Sequence, residues 1–334
     1  MSAPPAPAAS DPPATRSRVV IVHDATATDA FTPQPDAVRR MVQRGLAQLT
    51  GLPTPAAAWQ SLVGAKEVVG LKVYSGPGRD SGTRPAVIAA LIEGLLEAGH
   101  PATNIVIWDR QRSDLRRAGY MDLAARYHVG VEGSLNAGYS EEQFYSPERP
   151  FLGQLIWGDV EFGRKGEGIG RRSFFSKLLT SRITRIINVT PLLNHNQMGV
   201  IGHLYSLALG SVDNTLRFEH DLARLTTAVP EIYALPWLSD RVILNVTDAL
   251  ICQYEGEQQS LLHYSTPLNE VRLSKDPVAL DVLSLRELER ARLAANLNQP
   301  PGPGSAPELE MFRNAALLEL GVSDLENIKV ERLE

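Results

Sequence analysis

The 334-residue chain is 43% apolar and 21% charged, which fits a globular protein able to bury a sizeable core as one large domain or two intimate lobes. Its net charge of -5 leaves no electrostatic footprint for nucleic acid, and no basic cluster stands out on a candidate helix. The one cysteine, Cys252, excludes a disulfide framework and a cysteine-ligated zinc or iron–sulfur site within one chain, and no apolar run approaches the roughly 20 residues needed to span a bilayer.

Residues 1–17 are rich in Ala, Pro and Ser without apolar periodicity and read as a disordered leader or a processing remnant. A cytoplasmic protein with a ragged start and an exported mature form both fit this beginning. The β-branched run RVVIVHD (18–24) predicts a buried strand, followed by Pro35 and an apolar-periodic helix from Ala37 to Leu49. EVVGLKVY (67–74) repeats the strand signal, the glycine-rich SGPGRDSG (75–82) predicts a turn, and Pro85 opens a helix closed by Gly99. NIVIWDR (104–110) is the next strand. This alternation predicts an α/β fold, a mainly parallel doubly wound sheet, rather than a sandwich or bundle.

From about 129 to 182 the pattern loosens into an inserted irregular segment or lid, which contains LIWGDVEFG, the basic glycine-rich GRKGEGIGRRS and a predicted helix, FFSKLLTS. ITRIINVT (183–190) and RVILNVTDALI (241–251) predict strands, and MGVIGHLYSLALG (198–210) a helix or closely packed apolar segment. NEVRLSKD (269–276) leads into a helix that Asp276 caps and Pro277 begins. A linker, QPPGPGSAP (299–307), then precedes a helix from Pro307 to Leu320 and the strand NIKVERL. The expected organisation is a leader (1–17), an α/β core (18–298) and a C-terminal linker, helix and strand (299–334). No repeat at a fixed spacing is visible.

Ligands in open α/β sheets bind outside the carboxyl ends of the strands. Asn194, His195 and Asn196 follow the strand ITRIINVT, which makes His195 a candidate acid or base and the asparagines candidate substrate ligands. With His220, His195 is also a candidate for a divalent metal; His203, within an apolar stretch, reads better as a packed histidine satisfied locally. The SGPGRDSG loop matches no nucleotide-binding fingerprint, so a plain strand-to-helix turn is the simpler reading, with anion binding the alternative. Lys72 lies inside a buried strand and must pair with a carboxylate or reach a ligand. Asp24, Asp109 and Asp248 sit at strand ends, where a carboxylate serves catalysis or caps a turn. Asp109 and its neighbour Arg110 are candidate substrate ligands. Asp281, among apolar residues of a helix, needs a partner, with Lys72 or a ligand the candidates.

Three stretches, VGLKVYSGPGRDSGTRPAVIAALIEGLLEAG, RIINVTPLLNHNQMGVIGHLYSLALGSVDN and SKDPVALD, resemble the domain of unknown function 362 family, from about residue 65 to 295. The resemblance implies that Lys72, His195, His220, Asp248, Asp276 and Asp281 fall on the family's polar positions. Where the family carries Lys-Thr-His and then Lys-Asn, this chain has Leu193-Asn194-His195 and Tyr205-Ser206-Leu207, so two lysines are replaced. The ferredoxin-like Cys-rich module of many relatives is also missing. Two functions are expected from these residues. The first is an enzyme acting on a small polar or anionic molecule by acid/base or metal-assisted chemistry, with His195, Lys72, Asp248 and Asp281 as its working groups. The second is a ligand-binding or redox or maturation-pathway partner that performs no chemistry. A homodimer is the base-rate oligomer.

Overall fold

The structure is a computed structural model that describes residues 16–146, 172–295 and 306–334. The first 15 residues of the expected leader, LIWGDVEFG, most of GRKGEGIGRRS and much of the 299–307 linker lie outside the described residues.

In chain order, β1 (Ser17–His23), α1 (Pro35–Thr50), β2 (Val69–Lys72), α3 (Pro85–Glu97) and β3 (Ile105–Asp109) fall where the sequence predicts, joined by α2 (Pro55–Leu62), α4 (Arg112–Arg117) and α5 (Tyr120–Tyr127), which it did not predict, while β4 (Gly130–Gly133) lies inside the stretch expected to be irregular and pairs parallel with β3 instead. Within the insertion, β5 (Tyr139–Tyr145) and β6 (Ser173–Ser176) form their own antiparallel pair. The stretch expected as one helix, FFSKLLTS, therefore starts as strand and is helical only in α6 (Lys177–Ser181). Cross-strand pairing outweighs helix propensity there, since Phe174 pairs with Phe144 and their rings meet edge-on at 5.6 Å.

The chain returns to the sheet through β7 (Arg185–His195) and the short β8 (Gly199–Val200), followed by α7 (His203–Ser211), α8 (Leu222–Tyr233), β9 (Val242–Gln253) and β10 (Ser265–Ser274). It ends with α9 (Pro277–Ala294), α10 (Ala306–Leu317) and β11 (Ile328–Leu333). Asp276 caps α9 through the amide of Ala279 at 2.8 Å, with Pro277 in the first turn.

The nine-stranded sheet runs β11-β1-β10-β9-β7-β2-β3-β4, with β8 paired to β7 off this path. β10 is antiparallel to both neighbours, and all other pairs along the path are parallel. This is the expected mainly parallel α/β sheet. The C-terminal segment contributes its edge strand, β11, which pairs with β1. From β2 the chain steps outward to β3 and β4, then returns to the opposite side of β2 as β7. The strand order therefore reverses between β2 and β7, and crevices open at such switch points.

Helices α1, α2, α3 and α5 cover one face over a continuous apolar cluster, while α7, α8, α9 and α10 cover the other. Strand alternation sends Val69 and Leu71 to the first face and Lys72 to the second. On that second face Lys72, Asn188, Asn245 and Ser274 occupy one lateral row of register partners across four strands. Two residues further along β7 and β9, Thr190, Thr247 and Arg272 form the next row. All seven are buried. A polar seam thus runs beneath α7, every residue of which is buried.

Candidate functional site

A cleft of about 120 Å³ opens at the carboxyl ends of β2 and β3, lined by Tyr74, Asp109, Arg110, Tyr205, Ser206 and Glu219 among others. Tyr74 follows β2, Asp109 and Arg110 end β3, and Tyr205 and Ser206 lie on α7, so the cleft sits one strand over from the reversal, beneath the helix that β7 delivers. At the roughly 30 Å³ that a water occupies in the liquid, it has room for about four waters.

Its floor is an ion pair. Lys72, fully buried, donates from Nζ to Asp109 Oδ1 at 2.9 Å, to the Val73 carbonyl at 2.7 Å and to Ser206 Oγ at 3.1 Å. Asp109 Oδ2 accepts from the amide and hydroxyl of Ser75 at 2.8 and 2.6 Å. Burial pulls the Lys72 pKa below the ordinary lysine value, and the adjacent carboxylate opposes that shift. The α7 backbone comes this close because residue 210 is glycine: a Cβ there would lie 2.9 Å from Nζ and closer still to Cε. Lys72 therefore meets the expectation that it pairs with a carboxylate, but its partner is Asp109 rather than Asp281.

Above the floor, Tyr205 is 4% exposed. Its ring packs on His195 at 4.6 Å between centroids. Neither its hydroxyl nor that of Tyr74 has a hydrogen-bond partner among the described residues. Burial pushes both phenols well above their usual pKa; Glu219 and Glu257 act in the same direction on both, and Asp109 on Tyr74. Glu219 receives the Thr215 hydroxyl at 2.7 Å on Oε2, and Arg110 lies 3.6 Å from the same oxygen.

His195 is the last residue of β7, not part of a loop after it, and pairs with Gly199 of β8. Its Nδ1 accepts the amides of Gln197 and Met198, each at 3.1 Å, which puts the ring proton on Nε2, 3.4 Å from Glu257 Oε1. Burial lowers its pKa, while Glu257 and Glu219 pull it back up. With Nδ1 accepting two amides, the proton of His195 sits on Nε2, on the side of Glu257. Asn194 and Asn196 serve this arrangement. Asn194 Oδ1 accepts the Glu257 amide at 2.9 Å, and Asn196 Nδ2 donates to the Glu257 carboxylate at 3.1 Å. Both position Glu257 rather than line the cleft.

The remaining candidates lie elsewhere. Asp248 accepts the Arg84 amide at 2.8 Å and faces its guanidinium at 3.1 Å, both buried, and so ties the start of α3 to β9. Asp281 accepts the amides of His203 and Leu204, at 2.6 and 3.0 Å, from the first turn of α7. Gly202 makes that approach possible with a φ of 52°, and a Cβ there would lie 2.6 Å from an Asp281 oxygen. Burial pushes the Asp281 carboxyl up to about 7 despite the two amides. His203 is buried, with Nε2 2.9 Å from the Thr247 hydroxyl, and burial lowers its pKa to about 3. It is the locally satisfied histidine that was expected, except that Nδ1 has no partner among the described residues. Asp24 binds Thr26 in a turn. His220 is exposed, and among the described residues no three His, Cys, Asp or Glu side chains gather as a metal-ligand set. His195 and His220 do not fit the metal centre suggested for them.

Tyr74, Ser75, Arg84, Tyr205, Ser206, Glu219 and Glu257 are the site and supporting residues that sequence reasoning missed. Tyr74 lay in reach, two residues beyond Lys72 in an alternating strand. Glu257 carries no local signal, because it sits in the connection between β9 and β10.

No known family model matches the chain, and no curated protein matches it. A crystal structure of a protein from Thermotoga maritima superposes with a TM-score of 0.43 at 12% identity, over 81% of this chain and 60% of that one. The chain thus spans about 60% of the length of that solved structure.

Proposed function

We propose that the chain binds a small polar molecule in the cleft at the carboxyl ends of β2 and β3. The Tyr205 hydroxyl carries this reading: it belongs to a side chain 4% exposed that lines the cleft, and it has no partner among the described residues. The hydroxyl itself is not sealed from solvent, so it opens onto the cleft, where a bound molecule or water completes its hydrogen bonding. Ser206, held by Lys72, and Arg110, held by Glu219, add groups already oriented by their neighbours. Kinship with the domain of unknown function 362 family is part of this proposal, supported by Lys72 lying beneath the cleft and His195 packing against Tyr205.

A second reading, that the protein is an enzyme transferring a proton, is favoured by one observation. Phenol, imidazole and carboxylate come together in Tyr205, His195 and Glu257, a set suited to acid/base work. Asp248 and Asp281 stand outside this set, since their oxygens are committed to Arg84 and to the α7 amides.

Thermal-shift titration with small amines, carboxylates, amides and polyols tests binding, run on the wild type and on Tyr205→Phe. The expected result is at least one compound that raises the wild-type Tm and loses most of that effect in the variant. Silence across the panel, or equal shifts in both proteins, would overturn the proposal.

A further inference from the structure

Each carboxylate of the cleft is paired with a cation, yet one carboxylate oxygen is left open. Asp109, Asp114 and Glu219 line it, and Arg110 is the lining cation. Asp109 is saturated by Lys72 and Ser75. Asp114 is paired with Arg117 at 2.9 Å. Glu219 has only Oε2 engaged, by Thr215 and Arg110, so Oε1 remains open among the described residues. Arg110, the group an anion would need, is already drawn to Glu219. An anion entering here would find Lys72, Arg110 and Arg117 already paired and would have to displace an ion pair. A cation would find the open oxygen of Glu219 in a cleft also lined by Tyr74 and Tyr205, whose hydroxyls have no partner among the described residues. Burial is the main cause of the raised pKa of both phenols, with Glu219 and Glu257 adding to it at each and Asp109 at Tyr74.

We propose that the ligand of this cleft is a small organic monocation, a primary ammonium compound about the size of ethanolamine, whose ammonium group sits between Glu219 and the hydroxyl of Tyr205. The inference rests on the binding reading above and names its ligand class. The size follows from a volume of about 120 Å³, and the choice of an ammonium head from the open Glu219 oxygen beside cations that are all already paired. An ammonium group brings three N–H donors to a cleft whose lining residues Glu219, Tyr205 and Tyr74 each carry an oxygen without a partner among the described residues.

Isothermal titration of the full chain with ethanolamine, methylammonium, acetate, acetamide and potassium chloride separates the outcomes, with Glu219→Gln and Tyr205→Phe run alongside the wild type. The expected result is that ethanolamine or methylammonium binds, that acetate does not, and that each variant weakens binding at least tenfold while keeping the wild-type circular dichroism. Binding of acetate or acetamide in preference to the amines would overturn the ammonium assignment and leave the polar-ligand reading standing. Binding of potassium alone would make this an inorganic cation site and overturn the organic ligand. Absence of heat with every probe would sink both, as would amine binding unaffected by either substitution.

Discussion

Lys72 and Asp109 meet at 2.9 Å across neighbouring parallel strands, with the lysine fully shielded from water. Two charges out of water are tolerated because each is also hydrogen-bonded, the ammonium by Val73 and Ser206 and the carboxylate by Ser75. Removing one partner strands the other. Asp109→Asn is expected to cost about 3–5 kcal/mol, and Lys72→Met a similar amount. The double variant should lose clearly less than the sum, which urea unfolding of the four proteins would measure.

Gly210 is the contact that lets α7 close over this pair. A Cβ at that position would meet Lys72 Cε and Nζ, so Gly210→Ala should destabilise the fold by about 1–3 kcal/mol. In a Lys72→Ala background the same substitution has no side chain to strike and should cost much less. Equal losses in the two backgrounds, read from urea midpoints, would show that the close approach does not limit the packing here.

Asp248 is a structural residue by its contacts, since its two oxygens hold the amide and side chain of Arg84 where α3 begins. Asp248→Ala leaves the Arg84 guanidinium buried without its counter-ion and should cost about 3–5 kcal/mol. Ligand affinity in the folded fraction should stay within about twofold of the wild type, or about 0.4 kcal/mol. A variant of normal stability that has lost binding would instead place Asp248 at the ligand.

Stability as a function of pH carries two opposed contributions from adjacent groups. Asp281 titrates at 3.8 when exposed and at about 7 when folded, so between those values the folded state holds a proton the unfolded chain has released, and stability falls as pH rises. His203 titrates at 6.5 when exposed and at about 3 when folded; here the unfolded chain holds the extra proton, and stability rises with pH. The windows overlap from about pH 4 to 6.5, where the slopes offset each other. Asp281→Asn should unmask the rising slope and His203→Gln the falling one. Guanidinium unfolding midpoints across that range would show it, and variants that both follow the wild-type profile would contradict the assignment.

Much of the architecture was readable in the chain. The buried strands declare themselves as short β-branched runs, and the helix starts as Pro35, Pro85 and the Asp276-Pro277 cap. Lys72 announced that it must have a partner, because a charge inside an apolar strand cannot stay unpaired. These features are local, and a single strand or helix turn decides them through propensity, capping and alternation.

The identity of each partner was decided by strand order. Lys72 meets Asp109 because β2 lies beside β3, and Ser206 because β7 returns to the other side of β2 and delivers α7 over that face. Asp281, equally conspicuous among its apolar neighbours, is answered by the first amides of α7 instead of by Lys72. His195 looked like an acid or base at a strand end, yet the β7–β8 hairpin fixes its proton on Nε2 and turns it toward Glu257, some sixty residues away in the chain. The sequence by itself determined which segments form strands and helices and which buried charges require compensation. Only the tertiary structure decided what compensates them, because long-range pairing depends on which strands become neighbours, and strand neighbourhood leaves no periodicity in the chain to be read.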